Sequence, residues 1–409
     1  MLRTVRVSVA IICFSLISLL FLDFTGTLHV WFGWLAKIQF LPALLALNVG
    51  VILSLLLLTL LFGRIYCSVI CPLGVFQDII AWFGKRGKKL PYTYSRALSW
   101  LRYGILIVFI IAVLAGVGSF VALLAPYSSY GRIISNLFAP LYQLGNNMFA
   151  YLAERAESYA FYEVDVWVKS LSTFIIALIT FGVLVLLAWR NGRTYCNTIC
   201  PVGTFLGIIA KYSLFKPVID VSKCNSCGLC ARHCKAACID SKKHKIDYSR
   251  CVVCLDCLDK CRHGAIKYMR RSAVKDKISS PVVTQDQIDS ARRNFLSVSA
   301  LFAATTVIKA QEKKVDGGLA VIEDKKIPNR VVALTPPGSL SVRNFAKHCT
   351  ACQLCVSVCP NQVLRPSGSL MTLMQPEMSY ERGYCRPECT KCSEVCPAGA
   401  IRPISVSEK

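Results

Sequence analysis

The sequence predicts an α-helical membrane domain of four helices with a short fifth apolar segment, joined to two small α+β domains rich in cysteine. Three observations carry this. Of 409 residues, 54% are hydrophobic and only 17% charged, with mean hydropathy +0.50, which is more apolar than a soluble globular chain. The 22 cysteines fall mostly in tight runs, the usage of metal ligands rather than of a disulfide framework. Finally, residues 63–76, Gly-Arg-Ile-Tyr-Cys-Ser-Val-Ile-Cys-Pro-Leu-Gly-Val-Phe, return at 192–205 as Gly-Arg-Thr-Tyr-Cys-Asn-Thr-Ile-Cys-Pro-Val-Gly-Thr-Phe, identical at nine of fourteen positions. Such self-similarity marks an internal duplication.

The helices follow in order. Arg3 and Arg6 precede an uncharged run over 7–22, the first predicted helix. The second lies within 38–62, the third within 103–131 and the fourth at 170–189. Between the second and third stand Lys85, Arg86, Lys88, Lys89, Arg96 and Arg102 with no acid among them, which places that loop in the cytoplasm by the positive-inside rule. The loop after the third balances Arg132, Arg155 and Lys169 against Glu154, Glu157, Glu163 and Asp165 and suits the outer face. Both copies of the repeat then emerge on the cytoplasmic side. A Cys-x3-Cys spacing puts both sulfurs on one face of a helical turn, so two such turns brought together would present Cys67, Cys71, Cys196 and Cys200 to one point. Those thiolates suit a further iron-sulfur cluster, another soft metal or a redox dithiol.

None of the five histidines, His29, His233, His244, His263 and His348, lies in a predicted helix of the membrane domain, which excludes a bis-histidine haem there. There is no Cys-x-x-Cys-His for attached haem and no dinucleotide fingerprint. The formal charge of +24 does not point to nucleic acid, because the basic residues flank apolar runs and cysteine motifs.

From residue 216 the chain turns polar. Cys224-x2-Cys227-x2-Cys230-x3-Cys234 precedes Cys251-x2-Cys254-x2-Cys257-x3-Cys261, the run that wraps two [4Fe-4S] clusters in bacterial ferredoxins. Three thiolates come from one loop and the fourth from the other motif, so Cys224, Cys227, Cys230 and Cys261 hold one cluster, and Cys251, Cys254, Cys257 and Cys234 the other. Structural zinc would prefer two separated Cys-x2-Cys pairs. Lys235 and Arg262 stand where proline usually follows the fourth cysteine, and Cys238 reads as an inert extra thiol. Residues 349–396 repeat the scheme: Cys349, Cys352, Cys355 and Cys396 for one cluster, and Cys385, Cys389, Cys392 and Cys359 for the other, with one residue inserted after Cys385. The expected cofactors are therefore four [4Fe-4S] clusters.

Between these units, Arg292-Arg293-Asn-Phe-Leu opens an uncharged stretch reaching residue 308, similar to a twin-arginine export signal placed inside the chain. Its apolar run suits a signal core better than a full span. The domains are thus 1–215, membrane; 216–271, a cytoplasmic dicluster ferredoxin domain; 272–310, a basic linker with the signal or anchor segment; and 311–409, a second dicluster ferredoxin-like domain on the periplasmic side.

The doubled Tyr-Cys-x3-Cys-Pro turn followed by a dicluster ferredoxin resembles the NapH family over roughly residues 1–271, and more distantly the membrane half of the NosR/NirI regulators. From Arg292 onward, the signal and the stretch from Pro336-Pro337-Gly338 to Pro360 resemble the start of NapG, so the chain looks like a fusion of the two. The resemblance implies a multi-pass protein of the bacterial inner membrane that oxidises quinol from the quinone pool and passes electrons to a periplasmic reductase or cytochrome. It would need the twin-arginine translocase. The alternative it leaves open is a maturation or regulatory electron donor for a periplasmic metalloenzyme. No catalytic side chain is identified.

Overall fold

The computed structural model describes residues 2–23, 26–86, 92–155, 161–270, 333–370, 372–381 and 383–409. The twin-arginine stretch, the linker and the fifth apolar segment lie outside the described residues.

Helix α1 (Leu2–Leu22) runs 21 residues and stops at Asp23, whose carboxylate accepts the N–H groups of Gly26 at 2.9 Å and Leu28 at 2.8 Å. Short helices α2 (Thr27–Phe32), α3 (Trp34–Lys37) and α4 (Phe40–Leu45) follow. The second predicted run is therefore divided, because Asn48 caps a new helix, α5 (Val49–Phe62), by accepting the Val51 N–H. Then come α6 (Ile65–Val69) and α7 (Pro72–Arg86). The third predicted run is also not one helix. Helix α8 (Ser99–Ala115) ends at Gly116, left-handed at φ 76°, and Pro126 opens α10 (Pro126–Ile133) after α9 (Gly118–Leu124). A π-helical turn, Ile134–Phe138, leads into α11 (Ala139–Arg155). Arg132, read from sequence as a loop charge, is fully buried, donating to Ala122 O at 2.7 Å and Ser129 Oγ at 3.1 Å. Helix α12 (Leu171–Asn191) precedes α13 (Thr194–Thr198) and α14 (Pro201–Ala210).

Among the described residues, α1 and α12 are long and apolar enough to cross a membrane, while α5, α8 and α14 are apolar but shorter. All but α14 turn rows of large apolar side chains outward, such as Ile11 and Ile12, Leu53 and Leu57, Ile110 and Ile111, and Ile179 and Leu186. An apolar belt of that extent marks a surface not meant for water.

The first cysteine-rich unit holds β1 (Phe215–Ile219), α15 (Leu229–Arg232), β2 (Ile239–Asp240), β3 (Lys245–Ile246), α16 (Asp256–Lys260) and β4 (Ile266–Arg270). Strand β1 pairs antiparallel with β4, Phe215 opposite Arg270, and β2 pairs with β3. The second unit holds α17 (Val342–His348), α18 (Leu354–Ser357), the antiparallel pair β5 (Leu364–Pro366) and β6 (Pro376–Met378), and α19 (Lys391–Glu394).

The two units meet opposite ends of the long helices. Arg3, at the start of α1, pairs with Asp256 at 2.8 Å, whereas Phe21 at its far end lies with the Cys352 carbonyl around Gly131. Helix α12 runs the other way: Lys169, just before it, donates to Val356 O at 3.2 Å, and Arg193, just after it, donates its N–H to Lys235 O at 2.9 Å. Twenty-one residues give each helix about 31 Å of length at 1.5 Å per residue, close to the thickness of a bilayer's hydrocarbon core.

Candidate metal centres

The repeat folds into two matching turns that interlock. Gly63 (φ 75°) and Gly192 (φ 71°) stop α5 and α12, and each lets the first cysteine-rich unit approach: a Cβ would stand 2.9 Å from Val253 Cγ2 at the one and 2.6 Å from Lys235 O at the other. The arginine that follows reaches across. Arg64 donates to Cys196 O at 3.1 Å and to Asn197 Oδ1 at 3.0 Å, and Arg193 donates to Cys67 O at 2.6 Å. Each repeat thus holds the first-cysteine carbonyl of the other. The glycine after each Cys-Pro is equally determined, since a Cβ at Gly74 would stand 2.2 Å from Cys67 O and one at Gly203 would stand 2.4 Å from Cys196 O.

The four thiols are 3–4% exposed and share one core cluster. Cys71 and Cys200 lie within electrostatic reach of Cys67 and Cys196 across the repeat boundary. Gly203 N–H and Gln77 Nε2 donate to Cys200 Sγ and Cys196 Sγ, both at 3.3 Å. The structure therefore gathers the quartet in one buried core, where burial pushes the Cys71, Cys196 and Cys200 thiols up and the N–H donors and the positive charge of two arginines only partly offset it.

That charge is balanced by Asp78 on α7. It receives Arg193 Nη2 at 2.7 Å, Arg6 at 3.4 Å and Lys235 Nζ at 3.6 Å. Burial alone would raise its pKa, but Arg193, Lys235 and Arg6 outweigh burial and hold it well below the usual carboxylate range. Lys235 also reaches Asp256 at 3.2 Å. The residue that replaces the expected proline is thus the cation that ties the first unit to α7.

Each crossed set of cysteines in the ferredoxin-like units gathers around one small space. Cys224, Cys227, Cys230 and Cys261 line one, Cys234, Cys251, Cys254 and Cys257 a second, and Cys349, Cys352, Cys355 and Cys396 a third. Cys392 lies within electrostatic reach of Cys359, Cys385 and Cys389. Among the described residues no three His, Cys, Asp or Glu side chains stand close enough to share one metal ion, the quartet of Cys67, Cys71, Cys196 and Cys200 included. The loops share a conformation that turns the backbone inward: the residues flanking the second cysteine are left-handed in three motifs, Ser226 and Gly228, Val253 and Leu255, Ala351 and Gln353. In the fourth, Thr390 sits at φ −114°, so the residue inserted after Cys385 serves a different loop path.

Cys238 is not an idle thiol. Buried to 1%, it lies 3.5 Å from Cys234 Sγ and hydrogen-bonds Cys251. Those contacts pull both neighbours' pKa values down against burial while Cys238's own rises, the pattern of a thiol that keeps its one proton and shares it with one or the other of two predicted ligands of one cluster. Sequence spacing carries no signal for this contact.

A family model described as a 4Fe-4S binding domain matches residues 44–91 and 173–221, which are the two copies of the repeat with their preceding helices. The putative electron transport protein YccM of Escherichia coli is 24% identical over 229 residues, 54% of this chain and 55% of that protein. The ferredoxin-type protein NapH of Haemophilus influenzae is 28% identical over 241 residues, 56% of this chain and 70% of that protein. The chain is a homologue of the NapH-like ferredoxin-type proteins. An uncharacterized protein of Methanocaldococcus jannaschii, MJ0749, is 23% identical over 52% of this chain and 67% of its own length. The matches thus span about half of this chain, and in YccM about half of the relative. No solved structure matches. The matched 4Fe-4S model supports iron-sulfur clusters in this chain, and the relatives it resembles are named for electron transport or as ferredoxin-type proteins.

Proposed function

We propose that the protein oxidises quinol in the bacterial inner membrane and passes the electrons to a periplasmic redox partner, with the cysteine quartet joining the two ferredoxin units into one path. The observation that carries this is the quartet's position. On one side Arg193 lies within electrostatic reach of both Cys196 and Cys254. On the other, Tyr195 of the second repeat and Cys352 both lie within reach of buried Arg132, and Tyr127 lies within reach of Cys352 and Cys396. On a path that must cross about 30 Å of hydrocarbon, the quartet would be the first station beyond the first unit, against which both repeat turns lie. The sixteen ferredoxin cysteines would hold four [4Fe-4S] clusters, which supply one-electron transfer when bound. The residues of this chain set the clusters' positions, burial and hydrogen bonding, and through these their potentials.

In this reading α1, α5, α8 and α12 cross the membrane, the unit at 216–271 is cytoplasmic, and the NapG-like unit at 311–409 reaches the periplasm through the twin-arginine translocase. The test uses purified full-length protein with its clusters intact, mixed with a quinol analogue while cluster absorbance is followed. Bleaching supports the proposal and failure to bleach ends it. A tag after Lys409, accessible to protease in spheroplasts only when the translocase is present, supports the sidedness; a protected tag refutes it.

A further inference from the structure

A cavity of about 600 Å³ opens where the second cysteine-rich unit meets the membrane domain. Its walls are apolar side chains of α12 and of the segment before α11, among them Phe138, Leu178 and Phe181. Its polar lining includes Gln143, Lys169 and Ser357, and three further polar side chains matter here. Ser135 and Asn136 come from the π-helical turn, a wide turn that recurs at functional sites, and Gln353 comes from the cysteine loop between Cys352 and Cys355.

These groups are incompletely satisfied. Asn136 Nδ2 donates to Gln353 Oε1 at 2.8 Å, but Gln353 Nε2 and Ser135 Oγ are buried without any hydrogen-bond partner. Gln353 is 2% exposed, and a buried amide without a partner is unfavourable. Its left-handed φ of 66° is shared by Gly228 and Leu255 at the matching positions of the other loops and belongs to the cluster loop. The orphaned amide and hydroxyl are what the cavity leaves for a ligand to satisfy. An apolar chamber with a few converging donors and acceptors fits an amphipathic molecule with a polar ring and an apolar tail.

We propose that this cavity is the quinol site, with the ring hydroxyls facing Ser135 Oγ and the Gln353 amide and the tail lying between Phe138, Leu178 and Phe181. This rests on the quinol-oxidising function proposed above and adds its location. A quinol held there gives up two electrons and two protons and becomes quinone. Clusters held by the cysteines of the adjacent unit would, when bound, accept those electrons one at a time, and the protons would leave to solvent on that face. Gln353 acts as a positioning residue, since it joins the ring to the loop carrying Cys352 and Cys355.

The probe is an azidoquinone with a short alkyl tail, photolysed on full-length protein in detergent and located by peptide mass spectrometry. Label is expected on peptides spanning 135–143 and 353–357. Gln353→Leu should raise the half-saturating probe concentration roughly tenfold, Ser135→Ala several-fold, and Leu178→Trp should abolish labelling by filling the tail space. Iron content and the electron paramagnetic resonance of the reduced protein should be unchanged in Ser135→Ala and Leu178→Trp. Label elsewhere, labelling indifferent to Leu178→Trp, or displacement by phospholipid as readily as by quinol would overturn the site while leaving quinol oxidation standing. Label here without quinol-driven cluster reduction would keep the site and remove the oxidation.

Discussion

The two cysteine-rich units share a cluster-loop design but are fastened to the membrane domain by different chemistry. The first is held by charge: Lys235 between Asp78 and Asp256, Arg3 on Asp256, and Arg64 donating to Ser249 O at 3.1 Å. The second is held mostly by neutral contacts. Asn136 meets Gln353, Ser119 Oγ donates to Leu370 O at 3.2 Å, and Gly118 gives room, since a Cβ there would stand 2.4 Å from both Ala346 O and Gln375 Nε2. An ion-pair junction depends on pH and on removal of single charges; a neutral junction depends on shape and on complete hydrogen bonding. The protein can therefore be perturbed at one end with little effect on the other.

The largest expected effect is that of Arg193→Met, which leaves Asp78 only the longer contacts to Arg6 and Lys235 and frees the Cys67 carbonyl. Removing one partner of a buried pair costs about 3–5 kcal/mol. Thermal unfolding should show that loss, with the first unit's cluster signals lost before those of the second.

Acid probes the same junction without mutation. Asp78's pKa lies below its unfolded value, near 3.9, so its contribution is complete above that pH and is lost as pH falls toward the folded value. Docking of the first unit should be flat between pH 8 and 5 and weaken progressively as pH falls below about 4, with the second unit's junction unaffected. Asp78→Asn should remove this acid limb in the same unfolding measurement.

Gly74→Ala and Gly203→Ala should each cost about 1–3 kcal/mol through overpacking against the cysteine carbonyl. Equal losses would fit the interlocked pair of turns, and a large difference would break it. Inside the second unit, beside its junction, Gln375→Leu leaves the Ala346 and Cys349 carbonyls unpaired. It should cost about 1–3 kcal/mol, at low and high salt alike, with only the second unit's clusters disturbed.

The smallest effect on stability belongs to Cys238→Ala, and here the useful readout is a potential. Losing a donor to Cys234 or Cys251 removes stabilisation of the more negative, reduced cluster, so the midpoint potential of that one cluster should fall. Redox titration followed by electron paramagnetic resonance would show it, and an unchanged potential would return Cys238 to a packing role.

Much of the site was readable from local sequence, because cluster loops, Cys-Pro turns and helix-stopping glycines work over three or four residues. The crossed cysteine sets, the duplication at 63–76 and 192–205 and the convergence of its four thiols all follow from spacing of that kind. The long helices were readable as well, since an apolar run of twenty residues is its own signal. The breaks in the second and third runs were harder to see, because Asn48 and Gly116 act through cap geometry that hydropathy does not record.

What only the tertiary structure decided are the contacts between residues far apart in the chain. Arg132 was a loop charge by position and a buried donor in fact; Lys235 was a departure from pattern and became the ion-pair partner of Asp78 and Asp256. The orphaned amide of Gln353 and its cavity exist only because the second unit closes on the π-helical turn more than two hundred residues earlier. Local backbone preference determines which residues can make a turn or a helix, whereas buried charge and unpaired polar groups depend on which surfaces meet. That meeting is set by packing over the whole chain.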